Sequence, residues 1–268
     1  MKQFAPNYPR NEYGWVKFPS DISYRKELFP EGVNLHQAKA NVYLVQAIAE
    51  YVSEPGQTLL DPFGGTGTLM VAAIDYRNVT LIEISDKFHR LQLEAVDKLA
   101  ELYSGIEEHI SLIHAPLQKI LPIPNFAHHI IFSPPYADIL KGTNKSRSQL
   151  TKDRQSYDID EYTHTSPLNL GLMSEFLWKH EMSKVYKKCY DTLNPGGSMT
   201  IIIKDHIEAG NRVAMTQMAV DMCMIVGFSQ DPKEWFKWAA PGSLYTKIYR
   251  SRGMETVDDE DIVVMRKV

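Results

Sequence analysis

The sequence predicts a three-layer α/β protein in which a mostly parallel sheet is completed by a terminal antiparallel pair of strands. Short apolar runs alternate with segments whose apolar residues recur at helical spacing, which is typical of parallel sheets. One early apolar run ends in a glycine turn that leads into helical spacing. Two further runs near the C terminus, 233–238 and 261–266, are expected to pair in antiparallel fashion.

The composition indicates one large domain. The chain has 268 residues, 44% of them hydrophobic, which suits one α/β core and is short for two. We interpret residues 1–268 as a single domain with an N-terminal arm, 1–35, and an inserted loop, 137–172. Cys189 and Cys223 lack the spacing of a zinc site or a disulfide framework, so buried, reduced thiols and no metal site are expected.

The sequence also predicts where the protein resides. No basic and apolar signal peptide opens the chain, and the longest apolar stretch, near 215–228, is too short to span a bilayer. We therefore expect a cytoplasmic protein without membrane contact.

The first elements in order are an arm and a helix. Residues 1–34 are rich in Pro, Tyr and charged residues without a sustained period, and are expected to lie across the core as an irregular extension. At 41–51 apolar residues recur at helical spacing, which predicts an amphipathic helix. His36 and Lys39 precede this helix, either as a cap and a surface charge or as part of a ligand site.

The rest of the chain is organised around residues 59–68, LLDPFGGTGT. The apolar run predicts a strand that ends at Asp61, the glycines permit positive φ angles and close ligand approach, and 69–74 resume helical spacing. We expect this turn to present backbone N–H groups to a ligand. Such units serve many nucleotides and many purely structural turns, so the motif alone does not identify a ligand.

The next strand, 79–84, carries an acid near its end, and a helical pattern follows at 87–102. A carboxylate in this place can accept hydrogen bonds from both hydroxyls of a ribose. Glu83 is therefore the predicted ribose-binding residue. The alternative is a charge that merely marks the end of a strand.

A third strand and its exit turn are predicted at 110–117, and a fourth strand at 128–132 runs into residues 133–136, SPPY. Consecutive prolines can neither donate to a sheet nor enter a helix interior, so the chain must leave in an extended shape with the Pro134 carbonyl free. Residues 137–172 show no convincing period, and loops of this length are usually functional or disordered.

The C-terminal third predicts helices at 173–193 and 213–226, a turn at 193–197, and a fifth strand at 198–203 with Asp205 beyond its end. The acidic residues between 255 and 261 are interpreted as a solvated turn before an edge strand. Ligands of parallel sheets bind at the carboxyl ends of the strands. Phe63, Glu83, Ser133 and Asp205 all fall on that edge.

Taken together, residues 61–67 (DPFGGTG) and 133–136 (SPPY) resemble the motifs of S-adenosylmethionine-dependent DNA amino-methyltransferases. Members of this family methylate the N4 amine of cytosine or the N6 amine of adenine. The resemblance extends over most of the chain from His36 onward. It implies a class I methyltransferase fold, Rossmann-like with a seven-stranded sheet, and S-adenosylmethionine as cofactor. It implies DNA as partner, allows a cognate restriction enzyme, and leaves the oligomeric state open.

The resemblance also implies roles for individual residues. The catalytic residues would be Ser133, Pro134, Pro135 and Tyr136. The cofactor-binding residues would be His36, Lys39, Asp61, Pro62, Phe63, Gly64, Gly65, Thr66, Gly67, Thr68, Glu83, Ile84, Ala115 and Gln118. The sequence departs from the family's motifs at two places. Gln37 stands where the family's His-Pro-Ala-Lys-like element has a proline. His114 and Ala115 stand where family members often have an aspartate that binds the amino group of the cofactor's adenine. Gln118 or backbone groups near Ala115 would then make that contact.

The implied chemistry concerns an amine whose lone pair is delocalised into a base. The Ser133 hydroxyl oxygen and the Pro134 carbonyl would each accept one N–H, which favours a pyramidal nitrogen whose lone pair faces the sulfonium methyl. Tyr136 would stack on a base flipped out of the duplex, and Phe63 would shield the methionine part of the cofactor. Serine in first position, where N6-adenine enzymes typically carry Asp or Asn, favours the N4 amine of cytosine.

Several other functions stay open on the sequence alone. DNA N6-adenine methylation is the nearest alternative, followed by RNA methylation and by a cofactor-binding module without catalysis. A nicotinamide dehydrogenase is disfavoured because residues 64–67 lack the last glycine of G-x-G-x-x-G.

The charge of the chain permits DNA binding only under a condition. At a net charge of −4, basic residues must be concentrated on one face. The first candidate is 138–154, where five Lys and Arg residues stand against two Asp. The second is the N-terminal arm, with Arg10, Lys17, Arg25 and Lys26.

Overall fold

A computed structural model describes residues 2–35, 39–135, 166–208, 211–240 and 250–268 of the chain. His36, Tyr136 and the basic residues of 138–154 lie outside these ranges. Their predicted roles therefore stay predictions.

Within the described ranges, nine strands form a large sheet and a small hairpin. They are β1 Thr58–Asp61, β2 Asn78–Glu83, β3 Ile110–His114, β4 Ala127–Phe132, β5 Leu193–Ile203, β6 His206–Glu208, β7 Asn211–Val213, β8 Phe228–Ala239 and β9 Asp259–Lys267. The seven-stranded sheet has the order β3-β2-β1-β4-β5-β9-β8, and β6 pairs with β7. Strands β1 to β5 run parallel, whereas β9 is antiparallel to β5 and to β8. The predicted α/β class, mostly parallel sheet and terminal antiparallel pair are confirmed.

Seven α-helices and three 3₁₀ helices are described. The α-helices are α1 Ile22–Leu28, α2 Glu31–Leu35, α3 Val42–Val52, α4 Asp86–Leu102, α5 Leu117–Ile120, α6 Glu175–Thr192 and α7 Met215–Val226. The 3₁₀ helices are Thr68–Asp75, Ile106–His109 and Leu170–Leu172. Side chains cap two of the α-helices: Asn41 accepts from the N–H groups of Tyr43 and Leu44, and Ser85 accepts from Phe88. No helix within the described ranges is long and apolar enough to cross a bilayer.

Alternating side chains of the strands bury two apolar clusters. Leu59 of β1 belongs to one cluster and Leu60 to the other, and Ile202 and Ile201 of β5 divide in the same way. Successive side chains of a strand point to opposite faces, so the two clusters lie on the two faces of the sheet. Helices α1, α3 and α4 contribute to the first cluster, and α6 and α7 to the second.

Three sequence-based expectations about local structure are corrected. The arm is not wholly irregular, because it contains α1 and α2, and Leu28 and Phe29 are buried. The end of the inserted loop forms the 3₁₀ helix Leu170–Leu172. The turn predicted at 193–197 is the first part of β5, where Gly196 has φ +74° and the pairing with β4 shifts register.

The interpretation of the acidic run as a solvated edge is wrong. Strand β9 lies between β5 and β8, and Asp259 and Asp261 are only 3% and 2% exposed. Lys237 on β8 forms ion pairs with both aspartates, and the Trp235 indole donates to Asp261 over 2.7 Å. The acids are buried because a neighbouring strand supplies their partners, which the local sequence does not show. Cys189 and Cys223 are buried free thiols, as predicted.

Candidate active site

The fold brings the two sequence motifs together at the carboxyl edge of the sheet. Strands β1 and β4 are parallel neighbours, with Leu59 opposite His129 and Leu60 opposite Ile130. The glycine turn after β1 therefore lies beside the residues that follow β4. The rings of Phe63 and Phe132 are in contact, with centroids 5.4 Å apart, and Phe132 directly precedes Ser133.

Backbone hydrogen bonds hold the glycine turn internally. We expected its N–H groups to face a ligand, and for four of them this is wrong. Their bonds run from Phe63 N–H to Asp61 Oδ1 (2.8 Å), Gly64 N–H to the Ile82 carbonyl (2.9 Å), Gly65 N–H to Glu83 Oε2 (2.6 Å) and Gly67 N–H to the Gly64 carbonyl (2.8 Å). Because these four N–H groups already have acceptors within the protein, they are not available to a phosphate. Phosphate sites at helix N-termini, by contrast, offer free N–H groups.

Glycine is required at the centre of the turn. Gly65 has φ +50° and Gly67 has φ +83°, and side-chain-bearing residues rarely adopt these angles. Among the described residues other than its chain neighbours, the Phe63 carbonyl oxygen alone would lie within 4 Å of a Cβ on Gly65, at 3.7 Å. The backbone at Gly65 is thus open to a ligand, whereas Pro62, Thr66 and Thr68 on either side are buried.

Glu83 closes the turn from the end of β2. Its carboxylate is 7% exposed and accepts N–H groups from Gly65 (2.6 Å) and Ser85 (2.7 Å). Burial raises the pKa of Glu83 to about 7, although these N–H groups act in the opposite direction. Burial likewise raises the pKa of Asp61 to about 7; the Phe63 N–H opposes this and the charge of Glu83 adds to it. The two carboxyl groups therefore change ionisation near neutral pH.

The residues predicted to bind the adenine of the cofactor lie just beyond the ends of β2 and β3. The Ala115 N–H donates to the Glu83 carbonyl over 2.9 Å, and Ile84, which directly follows β2, is half-buried. The amide nitrogen of Gln118 donates to the Leu168 carbonyl over 3.0 Å, so that nitrogen joins α5 to the end of the inserted loop. The structure therefore brings Ala115 and Ile84 to Glu83 and engages part of Gln118 elsewhere.

His114 adds an aromatic surface that the sequence did not reveal. Its ring stacks on His89 of α4 at 4.8 Å between centroids and 9° between planes, and its Nε2 lies 3.2 Å from Asp86 Oδ1. Burial lowers the pKa of His89, and His114 lowers it further.

The N-terminal arm reaches the glycine motif through Arg25. This guanidinium is fully buried and donates to Thr68 Oγ1 over 3.1 Å and to Asp21 Oδ2 over 2.7 Å. It also donates to the Ala40 carbonyl, next to Lys39. Lys39 is half-buried, and burial followed by the charge of Arg25 lowers its pKa. Sequence reasoning missed this role, although the spacing of Asp21 and Arg25 is that of an ion pair on a helix.

The SPP segment rests on helix α6. Ser133 is exposed, Pro134 is buried and Pro135 is half-buried. The indole Nε1 of Trp178 donates to the Pro135 carbonyl over 2.6 Å, and Trp178 is fully buried. Sequence reasoning did not identify Trp178, because the bond spans 43 positions and leaves no local pattern.

Asp205 lies on the expected edge, but its oxygens are engaged within the protein. Oδ2 accepts from Arg212 over 2.9 Å, and Oδ1 accepts from the Thr216 N–H and hydroxyl over 3.0 and 3.1 Å. Burial acts to raise the pKa of Asp205, and these hydrogen bonds outweigh it and hold the pKa below its ordinary value. Asp205 thereby joins the β6–β7 hairpin to the start of α7. Among the residues that the structure describes, no cluster of His, Cys, Asp and Glu could hold a metal ion.

A comparison of the sequence with models of protein families adds an independent finding. Residues 7–94 match the family N6_N4_Mtase, described as DNA methylase. This part includes Arg25, the glycine turn and Glu83, and it ends before Ser133. The resemblance predicted from the motifs is confirmed over these residues, and S-adenosylmethionine is the cofactor that the match indicates. A comparison with curated protein sequences gives no significant match.

Solved structures confirm the fold. TrmN from Thermus thermophilus is similar with a TM-score of 0.50 and 16% identity, over 87% of this chain and 50% of that chain. An S-adenosylmethionine-dependent O-methyltransferase from Thermotoga maritima has a TM-score of 0.51 and 11% identity, over 97% of this chain and 77% of that one. The [4+2]-cyclase SpnF has a TM-score of 0.52 and 15% identity, over 85% and 82% of the two chains. This chain spans half the length of TrmN, and the presence of a cyclase shows that the fold alone does not determine the reaction.

Proposed function

We propose, from the DNA methylase match over residues 7–94 and the class I methyltransferase fold, that this protein transfers a methyl group from S-adenosylmethionine to the N4 amine of cytosine in DNA. The observation that carries the proposal is the contact of Phe63 with Phe132. It joins the turn that would hold the cofactor to the exposed Ser133 that would meet the amine. One edge of the sheet therefore offers both halves of a methyl-transfer site.

The described residues fit S-adenosylmethionine, which supplies a methyl group on a cationic sulfur and contains no phosphate. Four N–H groups of the glycine turn already donate hydrogen bonds within the protein, so they could not bind the phosphates of a dinucleotide. S-adenosylmethionine does not need them for that purpose. The open backbone at Gly65 gives it room. Glu83 retains lone pairs for the ribose hydroxyls, since each carboxylate oxygen can accept more than one bond.

The surroundings of Phe63 support its proposed role. The ring is half-buried and packs against the buried cluster that contains Phe132 and Trp178. One side of the ring is thus held by the core while the rest can face a ligand. The proposed role is to shield the methionine part of the cofactor from water, which buried aromatic rings do effectively.

Ser133 and Pro134 would orient the amine. The exposed Ser133 hydroxyl oxygen and the Pro134 carbonyl would each accept one N–H hydrogen, so that the nitrogen lone pair faces away from both. The step needs no covalent bond between enzyme and base. Tyr136, which lies outside the described residues, would stack on the flipped base.

DNA N6-adenine methylation is the second candidate, because both amines present the same two hydrogens to these acceptors. The choice of cytosine rests on serine at position 133. RNA and a cofactor-binding module without catalysis are the remaining alternatives. A cognate restriction enzyme, a cytoplasmic location and a single-domain organisation stay predictions.

Nucleoside analysis after a labelling reaction tests the proposal. The purified protein, isotope-labelled S-adenosylmethionine and DNA are incubated, the DNA is digested, and the nucleosides are measured by mass spectrometry, with RNA treated in parallel. We expect labelled N4-methylcytosine. Labelled N6-methyladenine would support the second candidate, and label in RNA alone would favour RNA methylation. Cofactor binding without any transfer would favour the binding module.

A further inference from the structure

A buried indole holds the segment on which the proposed amine acceptors lie. Trp178 Nε1 is 2.6 Å from the Pro135 carbonyl oxygen, and the Trp178 side chain is fully buried. We propose that Trp178 is a positioning residue for methyl transfer, which restricts the direction of the Pro134 carbonyl and the placement of Ser133 by anchoring the Pro135 carbonyl. This inference rests on the proposed function.

The anchor acts through the two prolines. Peptide bonds are planar, and proline rings hold φ at about −65° at both positions. Only the ψ angle of Pro135 therefore remains soft between the anchored carbonyl and the Pro134 carbonyl. One more soft angle, ψ of Pro134, separates this unit from the peptide of Ser133. The hydrogen bond at Pro135 thus restricts the Pro134 carbonyl most directly. The Ser133 hydroxyl has two further soft angles, ψ and χ1 of Ser133, and is restricted through its backbone.

The indole is itself held rigidly. Trp178 belongs to the same buried cluster as Phe132 and Met182, and its backbone N–H donates to the Ser174 carbonyl over 2.8 Å in the first turn of α6. Ser133, by contrast, is exposed. The core thereby holds Pro135 in place, while Ser133 remains exposed to a ligand. A hydrogen bond from a close-packed core side chain has little freedom to reorient.

A merely structural explanation makes a different prediction. A buried indole N–H needs an acceptor, and the Pro135 carbonyl could satisfy it without any effect on the reaction. In that case, removal of the N–H would lower stability and leave the rate of the folded enzyme unchanged. The rate at saturating substrate separates the two explanations.

Trp238 offers a matched control. Its indole Nε1 donates to Glu260 Oε2 over 2.7 Å, it is nearly buried, and it belongs to the cluster on the opposite face of the sheet. Trp178→Phe and Trp238→Phe therefore each remove one indole hydrogen bond from a buried site. Both should lower the melting temperature, and only the first should affect methyl transfer.

The experiment measures kcat, the KM for DNA, the cofactor Kd and thermal melting for the wild type and both variants. We expect Trp178→Phe to lower kcat by about tenfold, the size expected for one misdirected hydrogen bond, with the cofactor Kd within about twofold of wild type. Trp238→Phe should keep the wild-type kcat. Equal kcat values for the two variants, or a loss of cofactor affinity as large as the loss of kcat, would contradict the inference.

Trp178→His keeps the test decisive if Trp178→Phe folds poorly. It retains a ring N–H but fills less of the core, so it should be less stable than Trp178→Phe and yet faster when both are assayed below their melting temperatures. A Trp178→His variant no faster than Trp178→Phe would contradict the inference. If the wild type methylates neither base in DNA, the proposed function is wrong and so is the inference that rests on it. If the wild type methylates DNA and the two Trp→Phe variants have equal kcat values, the inference alone is wrong.

Discussion

The two halves of the proposed site are built in different ways. In the cofactor half, the glycine turn is closed by Glu83, only 18 positions beyond Gly65. In the amine half, Ser133 and its prolines depend on Trp178, 43 positions beyond Pro135. The family match includes the first half and ends before the second. A site assembled from nearby residues can be inferred from one stretch of sequence, whereas one assembled across the fold cannot.

The prediction with the largest expected effect tests whether the cofactor half depends only on residues close to it in the sequence. Arg25→Ala removes the buried cation that joins Asp21 of the arm to Thr68. We expect a loss of about 3–5 kcal/mol in the free energy of unfolding, measured by denaturant titration, because Asp21 loses its cationic partner in a site with little water. Lys26→Ala, at an exposed position on the same helix, is the control and should change little. A loss as small as that of the control would show that the arm does not support the turn.

Ser133→Ala tests the division between the halves. We expect turnover to fall by about 100-fold, equivalent to about 3 kcal/mol, because one acceptor aimed at the reacting amine is lost. Cofactor affinity, measured by calorimetry, should stay near the wild-type value. A parallel loss of cofactor binding would mean that Ser133 belongs to the cofactor half.

Glu83→Gln tests the cofactor half alone, through affinity and through pH. We expect cofactor binding to weaken by about 1–3 kcal/mol, because a charged acceptor is replaced by a neutral one. In the wild type, affinity should strengthen from pH 6 to 8 as Glu83, with a pKa of about 7, ionises. The variant should show less of this dependence; an equal dependence in both would exclude Glu83 as its source.

The same substitution has a second effect, on stability without cofactor. Because the folded pKa of Glu83 lies above its ordinary value of 4.5, folding is favoured most below pH 4.5 and this contribution is lost as pH rises towards 7. The free energy of unfolding of wild type relative to Glu83→Gln should therefore decrease across that range. A relative increase would contradict the raised pKa.

The smallest effect concerns the region that would face DNA beside the amine half. Replacing Lys145, Arg147, Lys152 and Arg154 by Ala should weaken DNA binding several-fold at low salt, with a smaller loss at high salt, because phosphate contacts release counterions. Cofactor affinity should not change. An unaltered salt dependence would favour the N-terminal arm instead, although Arg25 is buried and Arg10 already donates to the carbonyls of Phe4 and Gly14.

Much of the fold and half of the candidate site follow from the sequence. The consecutive apolar residues Leu59-Leu60 and Ile201-Ile202 are typical of strands covered on both faces, and these strands are present, with their side chains divided between the two clusters. The glycine turn has positive φ angles at Gly65 and Gly67, two of its three glycines, and the paired prolines end β4 where a ladder cannot continue. Such features depend on residues a few positions apart, so they are visible in one sequence.

Only the tertiary structure decided which distant side chains meet. It buried the acids of β9 beside Lys237, when the local run of charge indicated a solvated edge. It placed Arg25 against Thr68 and Trp178 under Pro135. In each case burial makes a polar group depend on particular partners, and the fold brings at least one of them near from tens of residues away. The sequence determined the elements and the turn chemistry, and the packing of the sheet determined which buried charge and which buried N–H would serve the site.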